Sequence, residues 1–573
     1  MKYYCASEEN VKLLGRAYFE DGVLRCAHSG TGAEFIFTGT KAEVTILGDS
    51  ACTEENAMFA SRIAILVNDV RVIDTVQKEA ETTYTVWESD VSQDIKITIL
   101  KLSECRMSTM AIKQIGVEAE GDIRPTKNKD FFIEFVGDSI TCAYGVDDEC
   151  IEHIFSTASE DVTKAFSYRT AELLHADYSM VGMSSFGIIS GYTEDGNTKM
   201  SENLVAPYYE KLGISDGELN GKKPQDIEWS FAKREPDLIV INLGTNDDSY
   251  CQDYADRQEE FIVNYVEFLK KIRGKNPNAK ILCTLGMMGI RQCPTVEKSV
   301  ERYKAETNDT NIDTMMFEDQ KPEDGLVVDW HPSKVTHDKA ARVLAKKIST
   351  LFDIKAYQKD AIPYIVDPNR PVAALTFDDG PNDTITLEVL EKLKKYNVVG
   401  SFFLIGQNIN ETTREVVRKE YDMGCEIHNH SLHHGDMTKL SAEEIKQEID
   451  ATTELIVDIT GKEPTFFRPP FILVNETMRQ TIRFPFICGI HGEDWVPTIP
   501  AEERAQRILD SVCDGALILL HDLVHNKPTV EALDILIPEL LRRGYQLVNV
   551  SDVFKKRKAV PQMCIDENYS VAH

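Results

Sequence analysis

The sequence predicts a multidomain chain, a small antiparallel β-sandwich or jelly roll followed by two α/β domains. Three observations carry this. A chain of 573 residues is too long for one hydrophobic core and has the length of about three to four ordinary domains. Up to about residue 125, apolar and polar side chains alternate with the two-residue period of half-buried strands. From Asp130 the pattern changes to short apolar runs separated by amphipathic helical stretches, as in parallel sheets with helices on both faces.

In the first domain, residues 1–125, Phe35, Phe37, Val44 and Ile46 mark strands, and Ile95, Ile97 and Ile99 alternate with Lys96 and Thr98. Ile63–Val67 and Val70–Ile73 flank Asn68-Asp69, a hairpin signal. In the second, residues 126–355, Phe131–Val136, Leu238–Leu243 and Ile281–Leu285 read as buried strands. A helix with Phe261, Tyr265, Phe268, Leu269 and Ile272 on one face should stop near Gly274 and Pro277, and another should run from about Thr336 to Phe352. A linker rich in Pro, Asp and Asn (Pro363, Asp367, Pro368, Asn369, Pro371) opens the third domain, residues 356–573. There Val372–Phe377, Ser401–Ile405 and Ala516–Leu520 read as strands, and Ser441 with Glu444 forms a capping box. A helix over Thr529–Arg543 ends at Gly544 and feeds a strand over Tyr545–Val550; the tail from Lys555 has no clear pattern.

Composition narrows the partners. Lys+Arg 63 against Asp+Glu 94 gives a net charge of −31, which repels phosphate backbones and anionic lipid and argues against nucleic-acid or membrane partners. Neutral sugars are compatible with it. The 13 cysteines form no CxxC pair, and Cys283 and Cys488 lie in apolar runs as buried free thiols would. The N-terminal stretch lacks a continuous apolar segment and carries Glu8 and Glu9 early. These features lead to the expectation of a cytoplasmic protein; nothing in the sequence fixes an oligomeric state.

Two sets of residues carry chemistry. In the first, Gly137-Asp138-Ser139 follows an apolar run, where a helix should begin. A hydroxyl there sits at the carboxyl edge of the sheet, where open α/β folds bind ligands. Serine needs a base, and His331, before Pro332 and a helix, is placed to return to that edge. Asn246, in Gly244-Thr245-Asn246-Asp247, can donate its amide to an oxyanion. Singly these signals are ordinary turns; their order and strand-end placement point to a serine esterase.

The order Gly-Asp-Ser, Gly-x-Asn-Asp, Asp-x-His resembles the SGNH hydrolases. With Ser139-Ile140-Thr141-Cys142-Ala143-Tyr144-Gly145, Asp329-Trp330-His331-Pro332-Ser333 and the preceding β-domain, residues 10–355 resemble carbohydrate esterase family 2. The resemblance implies a flavodoxin-like α/β domain that removes O-acetyl groups from sugars. The wider superfamily has Asp three residues before the His, where this chain has Val328. Either Asp329 or a backbone carbonyl then orients His331, and the spacing favours the carbonyl. The family's oxyanion glycine falls at Ser185, whose backbone N–H can serve, and Trp330 can stack on a sugar ring.

The second set begins at Asp378-Asp379-Gly380. Adjacent carboxylates on an extended backbone point in different directions, so one can bind a metal while the other takes a proton from water. His430 and His434, an i, i+4 pair that would share a helical face, complete three ligands with Asp379. These donors suit Zn²⁺, and also Co²⁺, Ni²⁺ or Mn²⁺. Spacing alone does not choose His430 and His434 over His428 and His433. His521, at the end of a strand, can act as the general acid. Joined to Arg468-Pro469-Pro470-Phe471 and Leu519-Leu520-His521-Asp522, the set resembles the NodB-type polysaccharide deacetylases, carbohydrate esterase family 4, over residues 363–555. That resemblance implies a distorted (β/α) barrel, Asp378 as base, Asp379, His430 and His434 as ligands, Arg468 as tether of the base, His521 as acid and Asp494 as its orienter. Phe471 stands where tyrosine is common, and with Trp495 it is a candidate substrate contact.

The expectation is therefore a bifunctional carbohydrate deacetylase, acting on acetylated oligosaccharides such as xylan or mannan fragments. The alternatives are a single working site, with the metal domain acting on chitin-like or peptidoglycan fragments, and a catalytically dead carbohydrate-binding protein.

Overall fold

The computed structural model describes residues 1–53, 55, 58–352, 370–557 and 559–561. The chain divides into two compact units, Met1–Ala356 and Tyr357–His573. The linker around Pro363, Asp367, Pro368 and Asn369 lies outside the described residues. The 12 cysteines among them are free, and no helix among them is long and apolar enough to cross a membrane.

The first unit opens with a ten-stranded antiparallel sheet. Its spine is two long strands, Gly32–Gly48 and Glu81–Lys101, paired along their length with register shifts near Gly39 and Ala42 that bend the sheet. Phe35, Phe37, Val44, Ile46, Ile95, Ile97 and Ile99 are all fully buried, as the alternation predicts. The hairpin Arg62–Val67/Val70–Val76 turns on Asn68 and Asp69 with φ of 48° and 66°, the left-handed pair that a two-residue turn of this hand requires.

Five parallel strands follow: β1 (Phe132–Gly137), β2 (Asp177–Gly182), β3 (Leu238–Asn242), β4 (Lys280–Met287) and β5 (Ile312–Asp319). They lie in the order β2-β1-β3-β4-β5, so the direction of winding reverses at β1. Its carboxyl end is a topological switch point, the place where such sheets bind ligands. The helix carrying Phe261 to Ile272 runs Ala255–Lys275, through Gly274, and the later one runs Lys334–Phe352. Strand β1 feeds both cores, Val136 on one face and Ile133 and Phe135 on the other. The β-domain enters both as well, through Ala27 and Cys105 on one side and Ala64, Leu100 and Leu102 on the other. Arg16, fully buried, forks onto Glu134 of β1 at 3.0 and 3.1 Å and donates to the Tyr209 carbonyl at 2.6 Å. A buried cation with every arm paired locks the β-domain to the middle of the α/β sheet.

The second unit is built on parallel strands β6 (Val372–Asp378), β7 (Ser401–Leu404), β8 (Glu426–Asn429), β9 (Ile490–His491), β10 (Ala516–His521) and β11 (Gln546–Leu547). Their order is β8-β7-β6-β10-β9, with β11 beside the start of β6. The capping box at Ser441 and Glu444 heads a helix over Ala442–Thr460. The strand expected over Tyr545–Val550 is only β11. Val550 instead opens a helix to Arg557, because Asn549 accepts the N–H groups of Asp552 and Val553 and starts its first turn.

Candidate active sites

In the first unit, β1 ends at Gly137 and a one-turn helix, Ser139–Cys142, begins at once. Asp138 caps it, accepting the Ile140 N–H at 3.0 Å. This turn holds Ser139 Oγ 2.8 Å from His331 Nε2. The other ring nitrogen, Nδ1, lies 3.2 Å from the Val328 carbonyl. Asp329 points elsewhere: its carboxylate accepts the Tyr144 hydroxyl at 3.0 Å, and the Tyr144 ring lies over His331 with centroids 4.5 Å apart. The structure thus brings Ser139 and His331 together and leaves the Asp329 carboxylate on Tyr144. Burial lowers the His331 pKa to about 4, so the imidazole is neutral at pH 7, the form that can accept a proton.

Asn246, just after β3, donates Nδ2 to the Phe186 carbonyl at 2.9 Å and makes a longer 3.3 Å contact with Asp138 Oδ2. Ser185 follows β2 with φ of 68°, a left-handed conformation that favours glycine. The ends of β1, β2 and β3 therefore bring Ser139, Ser185 and Asn246 to one edge. Asp247, fully buried, accepts the backbone N–H groups of Ile188, Ile189 and Ser190 at 2.7 to 3.1 Å and fixes the loop beyond Ser185. Burial raises its pKa to about 6 and that of Asp138 to about 7. Trp330 and Tyr192 are exposed aromatics beside the site; the Tyr192 N–H donates to the Ser185 carbonyl at 3.1 Å. The sequence reading missed Tyr144, Asp247 and Tyr192. The Gly-x-Asn-Asp motif was the one local signal for Asp247.

In the second unit, Asp378 ends β6 directly beside His521 at the end of β10. Arg468, fully buried, donates Nη1 to Asp378 Oδ1 at 2.5 Å, with its other nitrogens on the carbonyls of Ile487 and Cys488. Asp379 turns away, with φ of 76°, and its Oδ1 lies 3.5 Å from His430 Nε2 and 3.3 Å from His434 Nε2. The ligand atoms of Asp379, His430 and His434 all fall within 4.8 Å of one another.

The two histidines do not share a helical face, as the i, i+4 spacing suggested. His430 follows β8 directly, and His434 lies on a loop turned by Ser431 at φ of 67°. The Ser431 hydroxyl accepts the His434 N–H at 3.0 Å; a tight turn, not a helix, brings the rings to 4.8 Å. His428 is buried against Glu426, and exposed His433 bonds to Glu448, so neither reaches the cluster.

The donor set fits a divalent cation. Among the described residues Asp379 Oδ1 is buried with no hydrogen-bond partner, and a buried carboxylate oxygen left with free lone pairs beside two imidazole nitrogens is a ready ligand for a cation. His430 donates Nδ1–H to the Arg468 carbonyl at 2.6 Å, which leaves Nε2 as a lone-pair donor towards the same point. Burial disfavours charge on His521, but the hydrogen bond and charge of Asp494, with the charges of Asp378 and Asp379, outweigh it and raise its pKa to about 9. Asp494 accepts both His521 Nδ1–H and N–H at 2.8 Å. Phe471 and Trp495 are exposed, Phe471 edge-on to His434 and Trp495 to His521.

Both units are similar to known proteins. Residues 13–126 match the carbohydrate esterase 2 N-terminal family, residues 135–339 the GDSL-like lipase/acylhydrolase family, and residues 365–484 the polysaccharide deacetylase family. A bifunctional xylanase/deacetylase of Pseudobutyrivibrio xylanivorans is 46% identical over 195 residues, 34% of this chain and 32% of that protein; the chain thus spans about a third of that relative's length. A peptidoglycan-N-acetylglucosamine deacetylase of Bacillus cereus is 33% identical over 196 residues, 33% of this chain and 70% of that protein. The structure of an acetyl xylan esterase from the rumen bacterium Butyrivibrio proteoclasticus covers 62% of this chain and 99% of its own, with a TM-score of 0.56 at 20% identity, a likeness of fold. The chain therefore belongs, through its second unit, to the polysaccharide deacetylase family, and its first unit carries a carbohydrate esterase 2 N-terminal domain followed by a GDSL-like lipase/acylhydrolase domain.

Proposed function

We propose that the chain is a two-site carbohydrate deacetylase, removing O-acetyl groups at a serine centre and O- or N-acetyl groups at a metal centre. The observation that carries this is the presence of two complete and chemically different acyl-removing sets in one chain. In the serine centre, His331 Nε2 takes the Ser139 proton as Oγ attacks the acetyl carbonyl. The Ser185 N–H and the Asn246 amide donate to the oxyanion; Asn246 offers the hydrogen now on its long contact with Asp138. The Val328 carbonyl holds the tautomer, making the centre a Ser-His dyad. The imidazolium then protonates the departing sugar oxygen, and water cleaves the acetyl-serine by the reverse proton path.

In the metal centre, Asp379, His430 and His434 would hold the ion, Zn²⁺ in our reading. When bound, it would supply Lewis acidity. Asp378, fixed by Arg468, takes the proton of the attacking water, and His521, held charged by Asp494, protonates the departing oxygen or nitrogen. Trp330 in one unit and Phe471 and Trp495 in the other are exposed rings suited to sugar faces.

The relatives that act on xylan support acetylated xylan fragments as substrate, and the peptidoglycan deacetylase supports an N-acetyl sugar at the metal centre as the second reading. We further read the bent N-terminal sheet as a jelly roll. Single-residue bridges Asn429–Phe467 and Phe467–Phe486 support a distorted barrel in the second unit. The free thiols support a reducing, cytoplasmic setting.

The test is mass spectrometry of acetylated xylo-, manno- and chito-oligosaccharides treated with the wild type, Ser139→Ala and Asp378→Asn. Each variant should leave a distinct set of acetyl groups that the wild type removes. Identical product patterns from all three proteins would overturn the two-site reading.

A further inference from the structure

The segment of the β-domain at Glu104–Arg106 reaches under the serine centre and grips the turn after β2. The Glu104 carboxylate accepts the Ser184 N–H at 2.9 Å. Cys105 donates Sγ–H to the Gly182 carbonyl at 3.7 Å, and Arg106 donates Nη1–H to the Ser184 carbonyl at 3.4 Å, with its guanidinium 5.7 Å from the Phe186 ring. Glu104 and Cys105 are fully buried. The gripped residues flank Ser185, which sits at φ of 68°. That conformation is unfavourable for a residue bearing a side chain, so the turn persists only where its neighbours fix it.

The grip also sets a direction. The peptide joining Ser184 to Ser185 is planar and trans, so its C=O and N–H point opposite ways. Arg106 draws the carbonyl towards the β-domain, and the Ser185 N–H therefore faces away from it. Glu104 holds the preceding N–H, which fixes the tilt of the next peptide plane. On the other side, Asn246 holds the Phe186 carbonyl.

We propose that Glu104 and Arg106 are positioning residues of the serine centre, through which the β-domain aims the Ser185 N–H at the oxyanion. The proposal rests on the reading of Ser139 as nucleophile. It makes the β-domain part of the catalytic apparatus, in addition to any contact it makes with polysaccharide. A second fully buried carboxylate, Glu160, accepts the Glu104 N–H at 2.9 Å. Among the described residues Glu104 Oε1 has no hydrogen-bond partner, and burial pushes its carboxyl towards the neutral acid. Glutamine is thus a close mimic of it.

The experiment compares Glu104→Ala, Glu104→Gln and Arg106→Ala in the full chain. Activity is followed on 4-nitrophenyl acetate with a chelator present, and thermal unfolding checks the fold. Displacing an oxyanion donor costs about a hundredfold or more, so Glu104→Ala should lose about that in kcat while KM changes by less than about threefold. Glu104→Gln should recover most of the rate, because its amide oxygen still accepts the Ser184 N–H. Arg106→Ala should lose about tenfold in kcat. A folded Glu104→Ala with wild-type kcat, or a loss confined to KM, overturns the proposal. If Glu104→Ala does not fold, Arg106→Ala decides, and an unchanged kcat there overturns it. Retained activity in Ser139→Ala would instead overturn the underlying reading of the nucleophile.

Discussion

The two units place a histidine at the carboxyl end of a parallel sheet and drive its pKa in opposite directions. His331 is buried against a neutral carbonyl and an aromatic ring, and its pKa falls to about 4. His521 is nearly as buried, yet Asp494 bonds to its ring, Asp378 and Asp379 stand close, and its pKa rises to about 9. In the proposed mechanism the first is the base that takes a proton and the second the acid that gives one. Burial is common to both, so the neighbouring carboxylates decide the role. The same contrast governs the carboxylates. Asp329 is spent on Tyr144, whereas Asp378 is clamped by Arg468 and left with Oδ2 facing the site.

The comparison breaks most sharply at the metal ligands, because only one centre should depend on them. Purified protein should carry about one divalent ion per chain, and His430→Ala/His434→Ala should lose it. The oligosaccharide deacetylation that a chelator blocks should then fall by about a thousandfold or more, the several kcal/mol that a Lewis acid supplies. Chelator-resistant ester hydrolysis should be unchanged. Elemental analysis and the two assays check this. Metal retained in the double variant would assign the site to other residues.

Local chemistry was legible in the sequence, and long-range geometry was not. Ser139, Asp378 and His521 lie at ends of continuous apolar strands, a local pattern that fixes their place on the sheet edge. Strands β2 and β5 were missed. Asp177-Tyr178-Ser179-Met180-Val181 has too short an aliphatic run, and β5 is an edge strand whose middle is only half-buried. The helical face expected for His430 and His434 failed because a left-handed serine in a turn produces the same closeness. Residues that meet only through tertiary packing, such as Tyr144 on His331 or Glu104 under Ser184, have no signature in a single sequence. The choice of His430 and His434 over His428 and His433 rested on family resemblance, and their separation is a matter of which rings reach Asp379.

The pH dependence sharpens the contrast between the two histidines. A folded-state pKa below the ordinary value keeps His331 neutral as pH falls, and base catalysis is lost only as pH drops through about 4. The kcat/KM of the serine centre, measured with chelator present, should therefore stay nearly flat from pH 7 to pH 5. A histidine at its ordinary value of about 6.5 would have lost about thirtyfold by pH 5. An inflection near that ordinary value would show that burial does not hold His331 in its neutral form.

The smallest expected effect tests whether the serine centre truly lacks a third charged member. A triad carboxylate is worth about 10⁴ in kcat, because it fixes the tautomer and stabilises the imidazolium. Here the Val328 carbonyl performs the first task at 3.2 Å from Nδ1, and among the described residues no carboxylate bonds to the ring to perform the second. Asp329 instead anchors Tyr144, whose ring covers His331. Removing it should cost one ordinary hydrogen bond, about 1 kcal/mol or about fivefold in rate, felt through a looser ring. His331→Ala should lose on the order of 10⁴ in the same assay. Tyr144→Phe, which keeps the ring and removes the hydroxyl, should match Asp329→Ala, because both delete the same bond. If Asp329→Ala instead falls as far as His331→Ala while folding is unchanged, the carboxylate reaches the imidazole during turnover. The two centres would then share one rule, a histidine paired with an aspartate, and the contrast between them would be one of degree.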